Sequence, residues 1–282
     1  MVTLALVGAG SWGKNYLRAA KEIDGVEIKY IATSRTDMRD VPPGLDGVII
    51  ASPATTHYSL AKHFLELNQN ILIEKPFALS VEEANDLREI WKRSTSKVLV
   101  GHLQLYNPAY RAAKALVASL GDVKKISFKG LVSPPRKDVS VLWDWGPHPA
   151  SLFIDLIGEP ITLVSADGNN EHVTFALTYV SGATAEVEIG WTGEGKKREL
   201  TIEGGRGKIT FDDTKRDEKV AVELLGLPAS FPSYDHTPPL TVQLTEFVNA
   251  IRDGAPVYSG IEVGVCVTEL LASIESALER KM

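Results

Sequence analysis

The sequence has little cysteine, no run of positive charge and no long apolar segment. Cys266 is the one cysteine in 282 residues, so no internal disulfide can form, and its apolar surroundings predict a small core residue of a reduced protein. The formal charge is −6 without a basic run, which argues against a nucleic acid partner. No apolar run reaches the roughly 18 residues that cross a bilayer, and no basic leader precedes residue 4. We expect a cytoplasmic protein without a membrane partner.

Metal-ligand patterns are also absent, because no His, Cys and Asp residues recur at ligand spacing, and we expect no metal. The apolar fraction is 44% and the charged fraction is 23%, both close to globular averages. A chain of this length suits two domains. We place their boundary near Ala118, which gives domains 1–118 and 119–282.

The first hundred residues alternate short apolar runs with amphipathic stretches, the pattern of βαβ units in a parallel sheet. Pro42 and Pro43 allow only an abbreviated helix within 35–46. Ser80 and Glu83 form a capping box at the start of one helix. This pattern predicts an α/β Rossmann domain with strands at 3–7, 27–32, 47–51, 71–74 and 97–101, and helices at 14–22, 57–68 and 81–92.

From about residue 123 strands follow one another without helices, which predicts an α+β domain with a largely antiparallel open sheet. Its strands are expected at 124–132, 161–166, 172–180, 183–191, 198–203 and 208–211, and helices at 147–157, 240–252 and 261–279. Alternating apolar residues on the open face would need covering. We therefore expect a homodimer or homotetramer through sheet-to-sheet contact.

A glycine-rich turn follows the first strand directly and opens the first helix. Gly8 suits the tight turn, Gly10 the close approach of a diphosphate, and Gly13 the packing of helix on strand. The helix N-terminus adds amide donors and the positive end of its dipole. The placement predicts a dinucleotide site, with an empty glycine turn as the alternative. The residues assigned to it are Gly8, Gly10, Ser11, Trp12 and Gly13.

The tip of the second strand bears on the choice between NAD and NADP. NAD enzymes usually place Asp or Glu there to bind the ribose 2′-hydroxyl. Here no carboxylate occupies the place, while Ser34 and Arg35 can bind a 2′-phosphate. NADP(H) is therefore favoured over NAD(H), although Asp37 is near enough to support NAD.

Four blocks resemble those of the glucose-fructose oxidoreductase/inositol dehydrogenase (Gfo/Idh/MocA) family and occur in its order. They are the glycine turn at 8–13, Ala-Ser-Pro-Ala-Thr-Thr-His at 51–57, Glu-Lys-Pro at 74–76, and Asp-Trp-Gly-Pro-His at 144–148. The resemblance implies an NAD(P)-dependent oxidoreductase acting on a secondary alcohol or ketone of a sugar, cyclitol or sugar nucleotide. Residues 101–110 and 141–144 resemble a branch of nucleotide-sugar and polysaccharide metabolism, so an NAD-dependent nucleotide-sugar 3-dehydrogenase is the narrower alternative. A non-catalytic, dinucleotide-sensing binding protein is the alternative of another class.

Lys75 is a candidate catalytic residue on chemical grounds. A hydride leaves a carbinol carbon only if the hydroxyl proton leaves too, which requires an acid/base nearby. Lys75 follows the strand 71–74 at the carboxyl edge of the sheet, where doubly wound folds bind ligands. The resemblance places the matching lysine at both the nicotinamide ribose and the substrate, with a cis Lys75-Pro76 bond. The competing interpretation is an exposed lysine before a turn.

Asp144 and His148 lie four residues apart, and Pro147 is predicted at the first position of a helix. His148 suits a general acid/base and Asp144 a substrate acceptor or orienter. A capping Asp with a structural His is the alternative, and the principal acid/base between Lys75 and His148 stays open. Many family members carry acidic residues where Pro149 and Ser151 stand here, and often Arg in place of Leu105, which leaves contacts to particular hydroxyls undefined.

The remaining candidates flank these blocks. The resemblance places His57 on the nicotinamide side, whereas a polar residue at a helix start is the alternative. His102 and Asn107 are candidates to line the cleft, and a helix starting at Pro108 is the simpler account of that loop. Lys196, Lys197 and Arg198, with Arg136 and Lys137, can meet a diphosphate or carboxylate, or be solvated charges at strand ends. Further cofactor candidates are Ser52, Pro53, Thr55 and Glu74, and further substrate candidates are Gln104 and Tyr106.

Overall fold

The computed structural model describes residues 1–132, 135, 138–191 and 195–280, with only the backbone of residue 39. The chain divides into two compact units. The first comprises Met1–Tyr106 and Thr237–Glu269, and the second comprises Asn107–His236 and Leu270–Met282. The predicted boundary near Ala118 follows the change of pattern along the chain, whereas the first unit takes in a segment from the C-terminal part.

The first unit contains a five-stranded parallel sheet in the order β2-β1-β3-β4-β5. Strands β3 to β5 are almost wholly apolar because both faces of a parallel sheet are covered. The strands are β1 Val2–Val7, β2 Val26–Ala32, β3 Gly47–Ile50, β4 Asn70–Glu74 and β5 Val98–Gly101, and the helices between them are α1 Gly13–Ala20, α2 His57–Glu66 and α3 Val81–Lys92. The α/β Rossmann prediction is confirmed.

The capping box and the proline pair of this unit have the predicted effects on its helices. The Oγ of Ser80 accepts from the amide of Glu83 at 3.1 Å, and the Glu83 carboxylate accepts from the amide of Leu79 at 3.0 Å. This is the capping box at the start of α3, reaching one residue further back than its ideal form. After β2 the crossover holds only one short 3-10 turn, Met38–Asp40, as the two prolines require.

The second unit contains a seven-stranded sheet in the order β12-β11-β10-β6-β9-β8-β7. Its strands are β6 Val123–Leu131, β7 Ile161–Gly168, β8 His172–Tyr179, β9 Thr184–Gly190, β10 Lys197–Gly204, β11 Gly207–Asp212 and β12 Val220–Leu224, and its helices are α4 Pro108–Ala115, α5 Val141–Trp145 and α6 Pro147–Leu156. The largely antiparallel sheet is confirmed. The parallel pair β6/β9, strand β12 and helix α5 were not predicted.

The chain ends in α7 Pro239–Asp253 and α8 Ile261–Glu279. Helix α7 packs on α1 and β1, which explains why it belongs to the first unit. The prediction of a buried Cys266 is wrong, because the helical period of α8 buries Val265 and Val267 and leaves Cys266 exposed. None of the helices in the described part of the chain combines the length and apolar character needed to cross a membrane.

The open face of the second sheet is mainly polar, contrary to expectation. The apolar side chains of β6 and β10 point to the other face, while Lys125 and Lys129 pair on the open face with Glu186 at 2.7 Å and Glu188 at 2.6 Å. A cavity of about 620 Å³ on this face is lined mostly by hydroxyl and charged residues such as Ser127. The apolar reason given for a homo-oligomer is therefore wrong, and the oligomer itself stays a prediction.

Candidate active site

The glycine turn between β1 and α1 has the shape that a diphosphate needs. Gly8 has a φ of 98°, and a Cβ there would lie 2.6 Å from the carbonyl oxygen of Ala51. A Cβ on Gly13 would collide with the carbonyl oxygen of Gly8. A Cβ on Gly10 would meet no atom of the described residues within 4 Å. Gly8 and Gly13 are thus required by the fold itself, whereas Gly10 borders an open space that fits the phosphates of a dinucleotide.

Three residues form the tip of this turn, namely Gly10, Ser11 and Trp12, and all three are exposed. The helix begins directly after them, with the amide of Lys14 donating to the carbonyl of Gly10 at 3.1 Å. The N-terminal turn of α1 therefore adjoins the open space. Amide donors and the helix dipole there favour a bound anion.

The chain turns back on itself after β2. The amide of Thr33 donates to Thr36 Oγ1 at 2.9 Å, and the amide of Arg35 donates to Thr33 Oγ1 at 3.3 Å. These bonds hold Ser34 and Arg35 at the exposed end of the strand. The position that NAD enzymes give to a carboxylate is thus occupied by a hydroxyl and a guanidinium.

Lys75 directly follows β4, at the carboxyl edge of the parallel sheet. The Lys75-Pro76 peptide bond is cis, as the resemblance implied. Pairing of Glu74 with Gly101 sets Lys75 beside the residue that follows β5. Its side chain is only partly exposed, so the alternative of an open surface lysine does not describe it.

Glu74 is buried, and its carboxylate is held from several directions. Tyr16 Oη donates to Oε1 at 2.5 Å, the amide of Lys75 donates to Oε2 at 3.3 Å, and the indole of Trp12 adds a further hydrogen bond. Burial raises the pKa of Glu74, while its hydrogen bonds to Tyr16 and Trp12 and the charge of Lys75 oppose that rise. The residue predicted to contact cofactor thus links the glycine turn to the lysine.

Two residues of this cluster were missed from the sequence, Tyr16 and Gln243. Gln243 Nε2 donates to Tyr16 Oη at 2.8 Å, and both side chains are fully buried. A polar side chain on the apolar face of a helix was the signal that could have indicated them, because a buried tyrosine hydroxyl or amide needs a hydrogen-bond partner. The identity of that partner is not visible in either helix alone.

His57 is the first residue of α2, as the alternative to a cofactor role expected, and its buried ring bridges two loops. Its Nδ1 lies 2.7 Å from the carbonyl oxygen of Pro76, and its Nε2 lies 3.0 Å from that of Ser52. The ring therefore joins the loops that follow β3 and β4. Ser52 Oγ also lies 2.7 Å from Thr56 Oγ1, and the neighbouring candidates Pro53 and Thr55 are exposed.

The segment after β5 lies mostly in the interior of the first unit. His102 is buried with Nδ1 2.8 Å from Ser259 Oγ, and burial together with the charge of Lys75 lowers its pKa to about 3. Tyr106 is buried, donates to Glu246 at 3.0 Å and accepts from the amide of Ser259 at 3.2 Å. Gln104 is buried as well. The hydroxyl of Tyr106 is therefore engaged in internal bonds, and its contact to substrate stays a prediction.

In the second unit, Asp144 lies in the short α5, one residue before its end, and His148 is the second residue of α6. Gly146 has helical angles, so the two helices are nearly continuous, and Pro147 occupies the first position of α6 as predicted. Residues four apart on such a stretch share one side. Asp144 is buried and accepts from Trp191 Nε1 at 3.2 Å, while the His148 ring centroid lies 5.0 Å from that of Trp145.

Arg198 is part of a charged cluster and is not a solvated charge at a strand end. It pairs with Asp213 at 3.2 Å, and its guanidinium lies 5.6 Å from the Trp145 ring centroid. Lys219 and Asn107 also bond Asp213, each at 2.9 Å. Asn107 additionally caps α4, which starts at Pro108, so the simpler account of that loop holds. Lys196 and Lys197 are exposed, and Arg136 and Lys137 lie outside the described residues.

Comparisons with known proteins define the class. Residues 29–102 match the family model described as "Oxidoreductase family, NAD-binding Rossmann fold". The chain is similar to scyllo-inositol 2-dehydrogenase (NAD(+)) of Bacillus subtilis, at 30% identity over 80% of this chain and 75% of the relative. It is also similar to UDP-N-acetylglucosamine 3-dehydrogenase of Acidithiobacillus ferrooxidans, at 23% identity over 96% and 91%.

Among solved structures, the chain resembles a putative oxidoreductase from Magnetospirillum magnetotacticum MS-1. The TM-score is 0.84 and the identity 30%, with 96% of this chain and 99% of the other covered. Fold and site together define a dinucleotide-binding oxidoreductase. The chain belongs to the Gfo/Idh/MocA family.

Proposed function

We propose that this protein transfers a hydride between a nicotinamide dinucleotide and a secondary alcohol or ketone carbon of a sugar, cyclitol or sugar nucleotide. One observation carries the proposal: Glu74, the residue before Lys75, is hydrogen-bonded by Trp12 of the glycine turn. An amine suited to proton transfer thereby lies next to the dinucleotide turn, at the ligand-binding edge of the sheet. The names of the two relatives give the substrate class, a cyclitol for one and a nucleotide sugar for the other.

The roles of the side chains follow from their chemistry. Bound dinucleotide supplies the hydride acceptor or donor. Lys75 and His148 handle the proton of the reacting hydroxyl, because amine and imidazole exchange protons near neutral pH when suitably placed. Asp144 accepts a hydrogen bond from the substrate or orients it. Asp144 and His148 share one side of the α5–α6 stretch, which suits this division of work.

NADP(H) is the preferred cofactor in this proposal. Ser34 and Arg35 occupy the exposed end of β2, where a hydroxyl and a guanidinium can bind a 2′-phosphate. The named Bacillus relative uses NAD(+), so the two cofactors need direct comparison. The specificity constant kcat/KM measured with each is expected to be higher for NADP(H), and a clear preference for NAD would overturn the assignment.

The substrate is tested by a panel of inositols, aldoses and nucleotide sugars, followed through the absorbance of the reduced cofactor. Turnover of at least one of them is expected. Activity confined to a nucleotide sugar would select the 3-dehydrogenase alternative, the activity named for the Acidithiobacillus relative. Binding of dinucleotide without turnover of any panel member would instead support a sensing protein.

A further inference from the structure

A chain of hydrogen bonds in the first unit leads from α7 through α1 to the end of β4. Gln243 Nε2 donates to Tyr16 Oη at 2.8 Å, and Tyr16 Oη donates to Glu74 Oε1 at 2.5 Å. The other oxygen of Glu74 accepts from the amide of Lys75 at 3.3 Å. Tyr16 and Gln243 are fully buried and Glu74 is 6% exposed. The path thus ends on the backbone of the lysine assigned to proton transfer.

The direction of each bond in this path is fixed. The amide nitrogen of Gln243 can only donate, so the oxygen of Tyr16 accepts from it and turns its own hydrogen toward Glu74. A carboxylate in turn receives both Tyr16 and the Lys75 amide without conflict. Burial and the neighbouring carboxylate raise the pKa of Tyr16 well above its ordinary value, which keeps the hydroxyl a donor throughout the working range of pH.

The Glu74 carboxylate lies close against the backbone of Gly101 on the neighbouring strand. A Cβ on Gly101, opposite Glu74 in β5, would be 3.0 Å from Oε1 and 3.2 Å from the Cα of Glu74. Glycine at this position therefore makes room for the carboxylate. The indole of Trp12, in the glycine turn, also donates a hydrogen bond to Glu74. The carboxylate thus receives a side-chain donor from α1, another from the glycine turn and the backbone amide of Lys75, which is more than capping of a strand end requires.

We propose that Tyr16, held by Gln243, is a positioning residue of the reaction that fixes the Lys75 turn through Glu74. The inference rests on the proposed role of Lys75. Without the hydroxyl of Tyr16, the carboxylate loses the 2.5 Å hydrogen bond that holds Oε1 and becomes free to rotate away from the Lys75 amide. The amine would then spend less time in the geometry that proton transfer needs, because small displacements of a reacting group reduce rates steeply.

The substitution Tyr16→Phe tests this with little change of shape. We expect kcat to fall about tenfold or more, with substrate KM and the Kd for NAD(+) or NADP(+) within about threefold of wild type. The Kd is read from quenching of tryptophan fluorescence and does not depend on turnover. Deuterium uptake at residues 75–79 should also rise in the variant. Tyr110→Phe is the matched control, since Tyr110 Oη donates to Asp155 at 2.5 Å in the second unit.

The control separates positioning from loss of stability. Tyr110→Phe should lower the melting temperature by a similar amount and leave kcat within about twofold of wild type. Equal losses of kcat in both variants, or wild-type kcat in Tyr16→Phe, would overturn the inference. Should Tyr16→Phe fail to fold, Gln243→Leu removes the donor that orients Tyr16, and unchanged kcat in that variant would overturn it too.

Lys75→Met distinguishes failure of this inference from failure of the proposed function. Loss of turnover in Lys75→Met beside wild-type kcat in Tyr16→Phe would reject only the positioning role. Full turnover in Lys75→Met would reject the proposed function and the inference with it.

Discussion

At the scale of single residues, the proposed roles of Lys75 and His148 in proton transfer can each be tested by substitution. Lys75→Met keeps the length of the side chain and discards the amine, and His148→Ala discards the imidazole. Each substitution is expected to lower kcat by about 10² or more, the usual contribution of a general acid/base. Steady-state rates with the best panel substrate provide the measurement, and wild-type turnover in either variant would contradict the assignment.

The buried His102 gives the protein a predictable weakness toward acid. Its pKa of about 3 in the folded state lies below the ordinary value of 6.5, so the unfolded chain binds the proton first. The stability this neutral ring contributes is complete above pH 6.5 and is lost as the pH falls. In that interval it changes the free energy of unfolding by about 1.4 kcal/mol per pH unit.

Urea unfolding at a series of acidic pH values measures this slope. His102→Gln removes the titrating ring and should flatten the dependence, even if the variant is less stable at neutral pH. His63→Gln, on α2, is the control and should keep the wild-type slope. An unchanged slope in His102→Gln would show that other groups govern the response to acid.

A functional residue can be identified from the sequence when its role depends on residues close to it in the chain. Gly8, Gly13 and Lys75 stand in short motifs whose geometry is set by a few neighbours. The bonds of Tyr16 to Glu74, His102 to Ser259 and Gln243 to Tyr16 span 58, 157 and 227 residues. Tertiary packing brings these partners together, so they cannot be predicted from helical periodicity or motif spacing.

At the scale of elements, different glycines of the turn at 8–13 are required for folding and for ligand binding. Gly10→Ala places a methyl group in open space, so the melting temperature should stay near wild type while the Kd for the dinucleotide rises about tenfold. Gly13→Ala forces its Cβ against Gly8 and should lower both stability and affinity. Thermal unfolding and fluorescence quenching measure the two effects. Unchanged affinity in Gly10→Ala would place the diphosphate elsewhere.

Elements with strong local signals were predicted closely. Helix α3 runs over 81–92 as expected, because Ser80 and Glu83 define its start, and α8 matches the predicted 261–279. Helix α5 was missed since five residues before a proline show no full period. The parallel pairing of β6 with β9 was missed because strand partners far apart along the chain leave no local pattern.

At the scale of the whole molecule, the state of assembly is the open prediction. The mainly polar face of the second sheet carries lysines and glutamates that can pair with those of another copy as well as with each other. We expect a homodimer or homotetramer, weakened by salt because exposed ion pairs are screened. Light scattering at low and high ionic strength measures the mass. A monomer mass at low salt would refute the prediction.

The change of sequence pattern near residue 118 marks where one kind of secondary structure gives way to another. The division into compact units does not follow this change of pattern, because α7 packs on α1 and β1 and belongs to the first unit. Helix α7 is therefore distant from α1 in the sequence but in contact with it in the structure. The sequence shows that α7 has an apolar face but does not show which element covers that face. The unit to which α7 belongs is therefore known only from its packing.

The return of α7 has a consequence for how the polypeptide matures during synthesis. When the ribosome has made the first 236 residues, every strand of the nucleotide-binding sheet exists, yet the helix that covers α1 and supplies Gln243 has not emerged. The oxygen of Tyr16 then lacks the donor Gln243, although its acceptor Glu74 has already been made. Completion of the N-terminal half thus waits for translation of the C-terminal tail, and a fragment cut after residue 236 would carry an exposed apolar flank.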